Sequence, residues 1–342
     1  MEFLLHILIA FLSLVVIIYT CIFFTNAIEH LGKKLNLGNN ATGSILAVIG
    51  TGLPETVIPL VAIFSSLFLE ENIVSNQEIA QGAIIGSPFM LLTFAMFLLG
   101  LTLLILYVLK KRESLTFDLN INDVIRNYKY FLFAYIVAIS AMFFQNFKYL
   151  IVVFLLGLYV FYVYRTIKSS KIEAAEEDIE KLAFEKFFGF LKMSKMSLIV
   201  SQIIISLLFL IISSEFFVCE ITYFSKLLNV SPLIISFIIT PFATELPECV
   251  NSIIWIKNKK DDIAFANVIG AITFQAMVPF SIGIALTPWT SCKIIQSNVI
   301  LVVLCSLLFM FYTLISRKIN FISAMFCSIF YFGFMFFIFT LQ

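Results

Sequence analysis

The chain has 342 residues, a formal net charge of +1, 61% hydrophobic content, only 13% charged residues and a mean hydropathy of +1.05. No water-soluble core could hide that much apolar surface, so the composition excludes an ordinary globular protein and makes lipid the main solvent. Forty phenylalanines suit a lipid-facing surface and say little about function. A helix needs roughly 20 apolar residues to cross a hydrocarbon core of about 30 Å. Runs of that kind fall near 3–29, 43–69, 79–108, 129–146, 149–168, 195–224, 232–256, 263–285, 297–316 and 319–340. The first starts with the acidic Glu2 and lacks a small-residue cleavage site before the next charged turn. It reads as a retained span, not a signal peptide.

In chain order, the second run contains GTGLPE (50–55), and the third opens on QGAIIGS (81–87). After the fifth comes the one long charged stretch, KSSKIEAAEEDIEKLAFEKFFGFLKMSK, read as a solvated amphipathic helix joining two halves. The seventh run contains ATELPE (243–248), and the eighth holds FANVIGA (265–271). Assigned to alternate sides, the connections place all but Lys148, Lys226 and Lys293 of the 22 basic residues on one face. By the positive-inside rule that face is cytoplasmic and both termini are outside.

The halves align on each other. A shift of 193 residues sets 20–55 on 213–248 without a gap, matching Phe23/Phe216, Lys33/Lys226, Asn36/Asn229, Thr51/Thr244, Leu53/Leu246, Pro54/Pro247 and Glu55/Glu248. After a connection nine residues shorter in the second copy, QGAIIG meets FANVIG. Equivalent points lie five spans apart, an odd number, so the copies must enter the membrane from opposite sides. The expected fold is an all-α polytopic membrane protein of about ten helices in two inverted five-helix repeats: 1–168, a cytoplasmic charged linker 169–194, and 195–342. Secondary transporters are built this way, with the substrate near the midplane where broken helices meet.

This explains the two buried glutamates. Proline donates no hydrogen bond and clashes with the preceding turn, so 51–54 and 244–247 are expected to leave carbonyls unpaired, which at membrane depth survive only beside a cavity or an ion. A carboxylate next to each cluster makes a hard-oxygen cage for a cation. Two such carboxylates repel, and would share a proton when no cation is bound.

At these residues the sequence resembles the calcium/cation antiporter superfamily, particularly the sodium/calcium exchangers, whose two repeats carry GTSLPE followed by GNxxGSNxxN. The resemblance implies that Glu55 and Glu248 are the paired metal-binding carboxylates and that Thr51 and Thr244 add ligand oxygens. It also marks departures. The motif serine is Gly52 in one repeat and Glu245 in the other; the later serine is kept as Ser87 but replaced by Ala271; the polar position four residues beyond is Leu91 or Gln275. Oxygens that serve sodium in typical exchangers are therefore missing. Glu245, three residues before Glu248 and near the same helical face, would restore a third acid. Ser87, Asn267 and Gln275 complete the candidate cation-binding set, although amides also act as interhelical glue. Glu215 and Glu220 are candidates for an access path.

The sequence thus points to a secondary antiporter of the cell membrane that exchanges calcium or a similar cation for sodium. A proton-coupled exchanger, or a non-transporting sensor or scaffold, is the alternative. Two histidines make no transition-metal motif, the six cysteines form no CxxC and read as small packing residues, and no P-loop is present. The expectation is therefore a non-enzyme without cofactor or nucleic-acid partner, its partners being inorganic cations and the bilayer; the sequence specifies no oligomeric state.

Overall fold

The computed structural model describes residues 2–34, 52–69, 73–169, 181–188 and 194–340. Among these the chain is all helical, with a single isolated bridge between Thr116 and Asn320. The helices are α1 (Glu2–Lys34), α2 (Leu53–Leu69), α3 (Ile73–Met90), α4 (Met96–Val108), α5 (Ile121–Ser140), α6 (Lys148–Ser169) and α7 (Ala183–Phe188). They continue as α8 (Lys195–Leu228), α9 (Pro232–Thr244), α10 (Leu246–Lys257), α11 (Asp261–Leu286), α12 (Lys293–Ser316), α13 (Phe321–Phe326) and α14 (Ser328–Thr340). Among the described residues, seven helical stretches are long and apolar enough to cross a membrane.

Burial separates the inner helices from the outer ones. Of the most apolar stretch of Ile73–Val108, 67% is buried, and of Asp261–Leu286, 72%, against 11% for Gln145–Thr166. The α3–α4 span and α11 are therefore surrounded by protein, while α6 shows its apolar side chains outward, as a helix in lipid must. A π-helical turn at Leu91–Ala95 joins α3 to α4 three residues after Pro88, whose missing N–H interrupts the ladder.

Small residues let the inner helices touch. A Cβ on Gly82 would come within 2.5 Å of the Leu233 carbonyl oxygen, and one on Gly86 within 2.6 Å of the Phe237 carbonyl oxygen. The QGAIIG segment is thus the face on which α3 packs backbone to backbone against α9, the small-xxx-small solution to helix packing without a hydrophobic drive. The long helices α1 and α8 lie against each other, and α2 packs on α8 and α3.

Connections pack against one another in two groups. In one, Phe117 N–H donates to Ile319 O at 2.9 Å, and Arg112 pairs with Asp261, which also accepts Asp118 N–H at 2.9 Å. In the other, Ser231 donates to Glu78 at 2.9 Å, and Gln145 to the Trp289 carbonyl at 3.2 Å. Most of the linker 169–194 lies outside the described residues. Its segment 181–188 is not simply solvated: Leu182 is fully buried, Ala183 N–H donates to Asn26 and Phe184 N–H to the buried Gln202.

Candidate functional site

The two LPE motifs are helix starts. Leu53-Pro54-Glu55 opens α2, and Leu246-Pro247-Glu248 opens α10, so each proline falls in a first turn, where a helix has no use for its N–H. Each glutamate then follows as the third residue, at the positive end of the helix dipole. The apolar run 232–256 is accordingly two helices that meet at Glu245. The backbone is less open there than the sequence suggests: Glu245 N–H donates to Pro241 O at 2.9 Å, and Glu245 O accepts from Cys249 N–H at 3.0 Å. Thr51 lies outside the described residues.

Three carboxylates converge. Glu55, Glu245 and Glu248 each offer an oxygen within 4.8 Å of the other two, and they are 2%, 0% and 2% exposed. At about 4.8 Å and an effective dielectric near 20, two unit charges repel by about 3–4 kcal/mol, on top of several kcal/mol for desolvating each ion. Three bare anions would outweigh anything these helix ends supply, so the arrangement demands positive charge.

The surroundings are polar and incompletely paired. Gln275 on α11 donates its amide to Glu245 Oε1 at 2.9 Å, and Ser87 on α3 lies beside the same carboxylate. The Thr244 hydroxyl and Gln275 Oε1 are buried without a hydrogen-bond partner, and the Glu55 and Glu245 carboxylates lie against each other with few donors around them. A set of orphaned oxygens with so few donors is what a hard cation uses. Beside Glu55 and Glu248 is a cavity of about 10 Å³, lined also by Gly52, Asn267, Ala271, Phe274 and Gln275, with room for about one water-sized particle. A cation with ligands at about 2.4 Å bridges oxygens up to about 4.8 Å apart.

The remaining candidates are engaged in other contacts. Asn267 lines the cavity, but its amide is spent on the Glu248 carbonyl at 3.3 Å and the Ser252 hydroxyl at 3.1 Å, so it braces the start of α10. Ser252, one turn after Glu248 on α10, is visible in the sequence only as an i, i+4 neighbour. Glu215 accepts a hydrogen bond from Ser65, and Glu220 meets His6 at 2.8 Å. Four cysteines are the buried packing residues expected, whereas Cys219 and Cys292 are exposed.

The chain is similar to known proteins along its whole length. An uncharacterised membrane protein of Methanocaldococcus jannaschii is 25% identical over 261 residues, 76% of this chain and 75% of that one. Among solved structures, the H⁺/Ca²⁺ exchanger CAX superposes with a TM-score of 0.72 at 17% identity, covering 96% of this chain and 82% of its own. YfkE gives 0.67 at 17% identity over 98% and 92%, and the sodium-calcium exchanger NCX_Mj 0.58 at 21% over 96% and 97%. At these identities the likeness establishes the fold. The family model described as sodium/calcium exchanger protein matches residues 5–168 and 198–340. With both halves matched, this chain belongs to the sodium/calcium exchanger family.

Proposed function

We propose that the protein is a secondary antiporter that carries calcium or a similar divalent cation by alternating access, with Glu55, Glu245 and Glu248 as its central ligands. The convergence of three buried carboxylates within 4.8 Å carries this reading. Thr244, Gln275 and Ser87 contribute further oxygens, Thr51 does so from the first LPE motif, and Asn267 positions Glu248. Ten spans in two inverted repeats, 1–168 and 195–342, joined by the 169–194 linker, form the scaffold. The basic connections face the cytoplasm of a cell-membrane protein whose termini are outside.

Protons satisfy the charge balance, as any monovalent cation would, and the additional titratable Glu245 favours them as the coupling ion. Three carboxylates holding one Ca²⁺ and one proton are neutral, and the same three holding only protons are neutral too. Exchange of two protons per Ca²⁺ therefore lets the site cross its low-dielectric surroundings without net charge in either direction. Sodium coupling is the second reading, supported by the family and by the fold likeness to NCX_Mj; the apolar Leu91 and Ala271 at motif positions weigh against it.

Reconstitution separates the two. In liposomes of purified protein offered labelled calcium outside at one fixed external pH, a sodium-free acid-loaded lumen should drive uptake well above a sodium-loaded lumen without a pH gradient. Uptake driven by sodium alone would reverse the coupling assignment. Uptake under neither gradient, from protein that keeps its cooperative melting transition, would sink the calcium reading.

A further inference from the structure

A second binding site lies away from the carboxylates, beside the basic connections. Between α5, α6 and the end of α12 is a cleft of about 680 Å³. Its polar end, the mouth, is lined by Asn122, Arg126, Lys129 and Arg317, and the rest by apolar side chains including Phe133, Leu158 and Leu314. Positions 122, 126, 129 and 133 follow one face of α5, so polarity changes from cationic to apolar along about 16 Å of helix. A phospholipid has that profile: an anionic phosphate at the interface and an acyl chain running inward.

The cations at the mouth are poorly satisfied. Arg126 pairs with Asp123 at 2.8 Å, with both side chains more than 40% exposed, a pair that holds weakly in water. Arg317 reaches only the neutral Asn122, at 3.3 Å, and Lys129 makes no ion pair among the described residues. Against three cations the mouth presents one carboxylate. The basic surface continues past Arg317 into a neighbouring cavity of about 560 Å³ that Lys259 and Lys318 help line, opposed there by Glu113 and Asp118. Outside the cleft the flanking surface is apolar, with Phe154 and Phe161 each 46% exposed, which suits a mouth placed where a bilayer's headgroups meet its chains.

We propose that this cleft binds one anionic phospholipid, its phosphate held by Arg126, Lys129 and Arg317 and one acyl chain laid against Phe133, Leu158 and Leu314. The assignment is independent of the transported ion. Native mass spectrometry of the purified chain, titrated with phosphatidylglycerol, phosphatidylcholine or inorganic phosphate, tests it. Phosphatidylglycerol adducts should be retained in preference to phosphatidylcholine. R126Q/K129Q/R317Q should lower that retention at least about tenfold, at about a kcal/mol per surface charge, and leave phosphatidylcholine unchanged. Lys129→Gln alone, at an exposed position where folding is not at stake, should give a smaller loss of the same sign. Leu158→Trp, which fills the apolar part, should weaken the lipid without affecting any phosphate ion. Equal retention of the two lipids, full retention by the triple variant, or displacement of phosphatidylglycerol by millimolar inorganic phosphate would each overturn the proposal.

Discussion

The two halves of the chain align in sequence yet contribute unequally to the carboxylate cluster. The first half supplies Glu55 and Ser87. The second supplies Thr244, Glu245, Glu248 and Gln275, with Asn267 and Ser252 behind them. At the aligned positions the first half has Gly52 for Glu245, Ala83 for Asn267 and Leu91 for Gln275. The pairs Glu55/Glu248 and Thr51/Thr244 are therefore common to both halves, Ser87 stands only in the first, and the rest of the polar surplus lies in the second. Halves that align in sequence need not carry the same chemistry: the shared pairs fit what is common to both halves, and the surplus fits whatever sets this chain apart.

The strongest way to break that division is to remove the shared pair. Glu55→Gln and Glu248→Gln keep size and burial while deleting a charge and a chelating oxygen. Either should lower calcium uptake in liposomes by at least about a hundredfold, about 3 kcal/mol of cation stabilisation. Both variants should fold, and in the absence of calcium their melting temperature should hold or rise, because a buried like-charge repulsion has been relieved. Near-normal uptake by either variant would remove the shared pair from the mechanism.

How much of the molecule is legible in the sequence follows the same division. Glu55 and Glu248 can be read directly, since a costly LPE placed twice in apolar runs, at equivalent points of two repeats, calls for one shared role. Among the described residues most helices follow the apolar runs, but 232–256 divides at Glu245 and 319–340 at Cys327, and the start of the run 43–69 lies outside the described residues. The proline's role is less legible. Placed mid-run it suggests broken backbone with free carbonyls, whereas Pro247 falls in the first turn of a new helix and Glu245 O is taken by Cys249 N–H. No local rule distinguishes a kinked helix from two abutting ones. The convergence of Glu245 with Gln275, 30 residues away on α11, depends on how α11 packs against α10, which periodicity does not encode. The docking of Leu182 and its neighbours on α1 and α8 is hidden for the same reason, because the partners Asn26 and Gln202 are polar residues inside apolar runs.

The surplus itself can be probed at Glu245. If it carries the proton that keeps the calcium-loaded site neutral, Glu245→Gln fixes that position in a permanently neutral form. Wild-type uptake should rise as the pH on the calcium-loading side is raised, since protons must leave before calcium binds. The variant should retain roughly a tenth or more of the maximal rate with a visibly shallower pH dependence. A pH profile superimposable on wild type, at whatever rate, would return Glu245 to a structural role and weaken proton coupling with it.

The smallest effect is expected at Asn267, where the surplus supports the site without entering it. Its amide donates to two neutral acceptors, at 3.1 and 3.3 Å, and the side chain is only partly buried. Bonds of that kind are worth about 0.5–1.5 kcal/mol each at most, and water replaces part of that where the group is accessible. Asn267→Ala should therefore weaken calcium uptake only a few-fold, with the loss in apparent affinity more than in maximal rate, because Glu248 remains present but less firmly held. A ligand would behave differently. If the Asn267 carbonyl oxygen binds the cation directly, its loss should approach that of the shared pair, and Asn267→Asp, which keeps an oxygen in place and adds charge, should restore or tighten binding. A brace predicts the opposite for that second variant, since an aspartate cannot donate to the Glu248 carbonyl and adds a fourth negative charge beside three. The sign of the Asn267→Asp effect on calcium affinity thus decides whether the one-sided surplus reaches the ion here or stops one layer short.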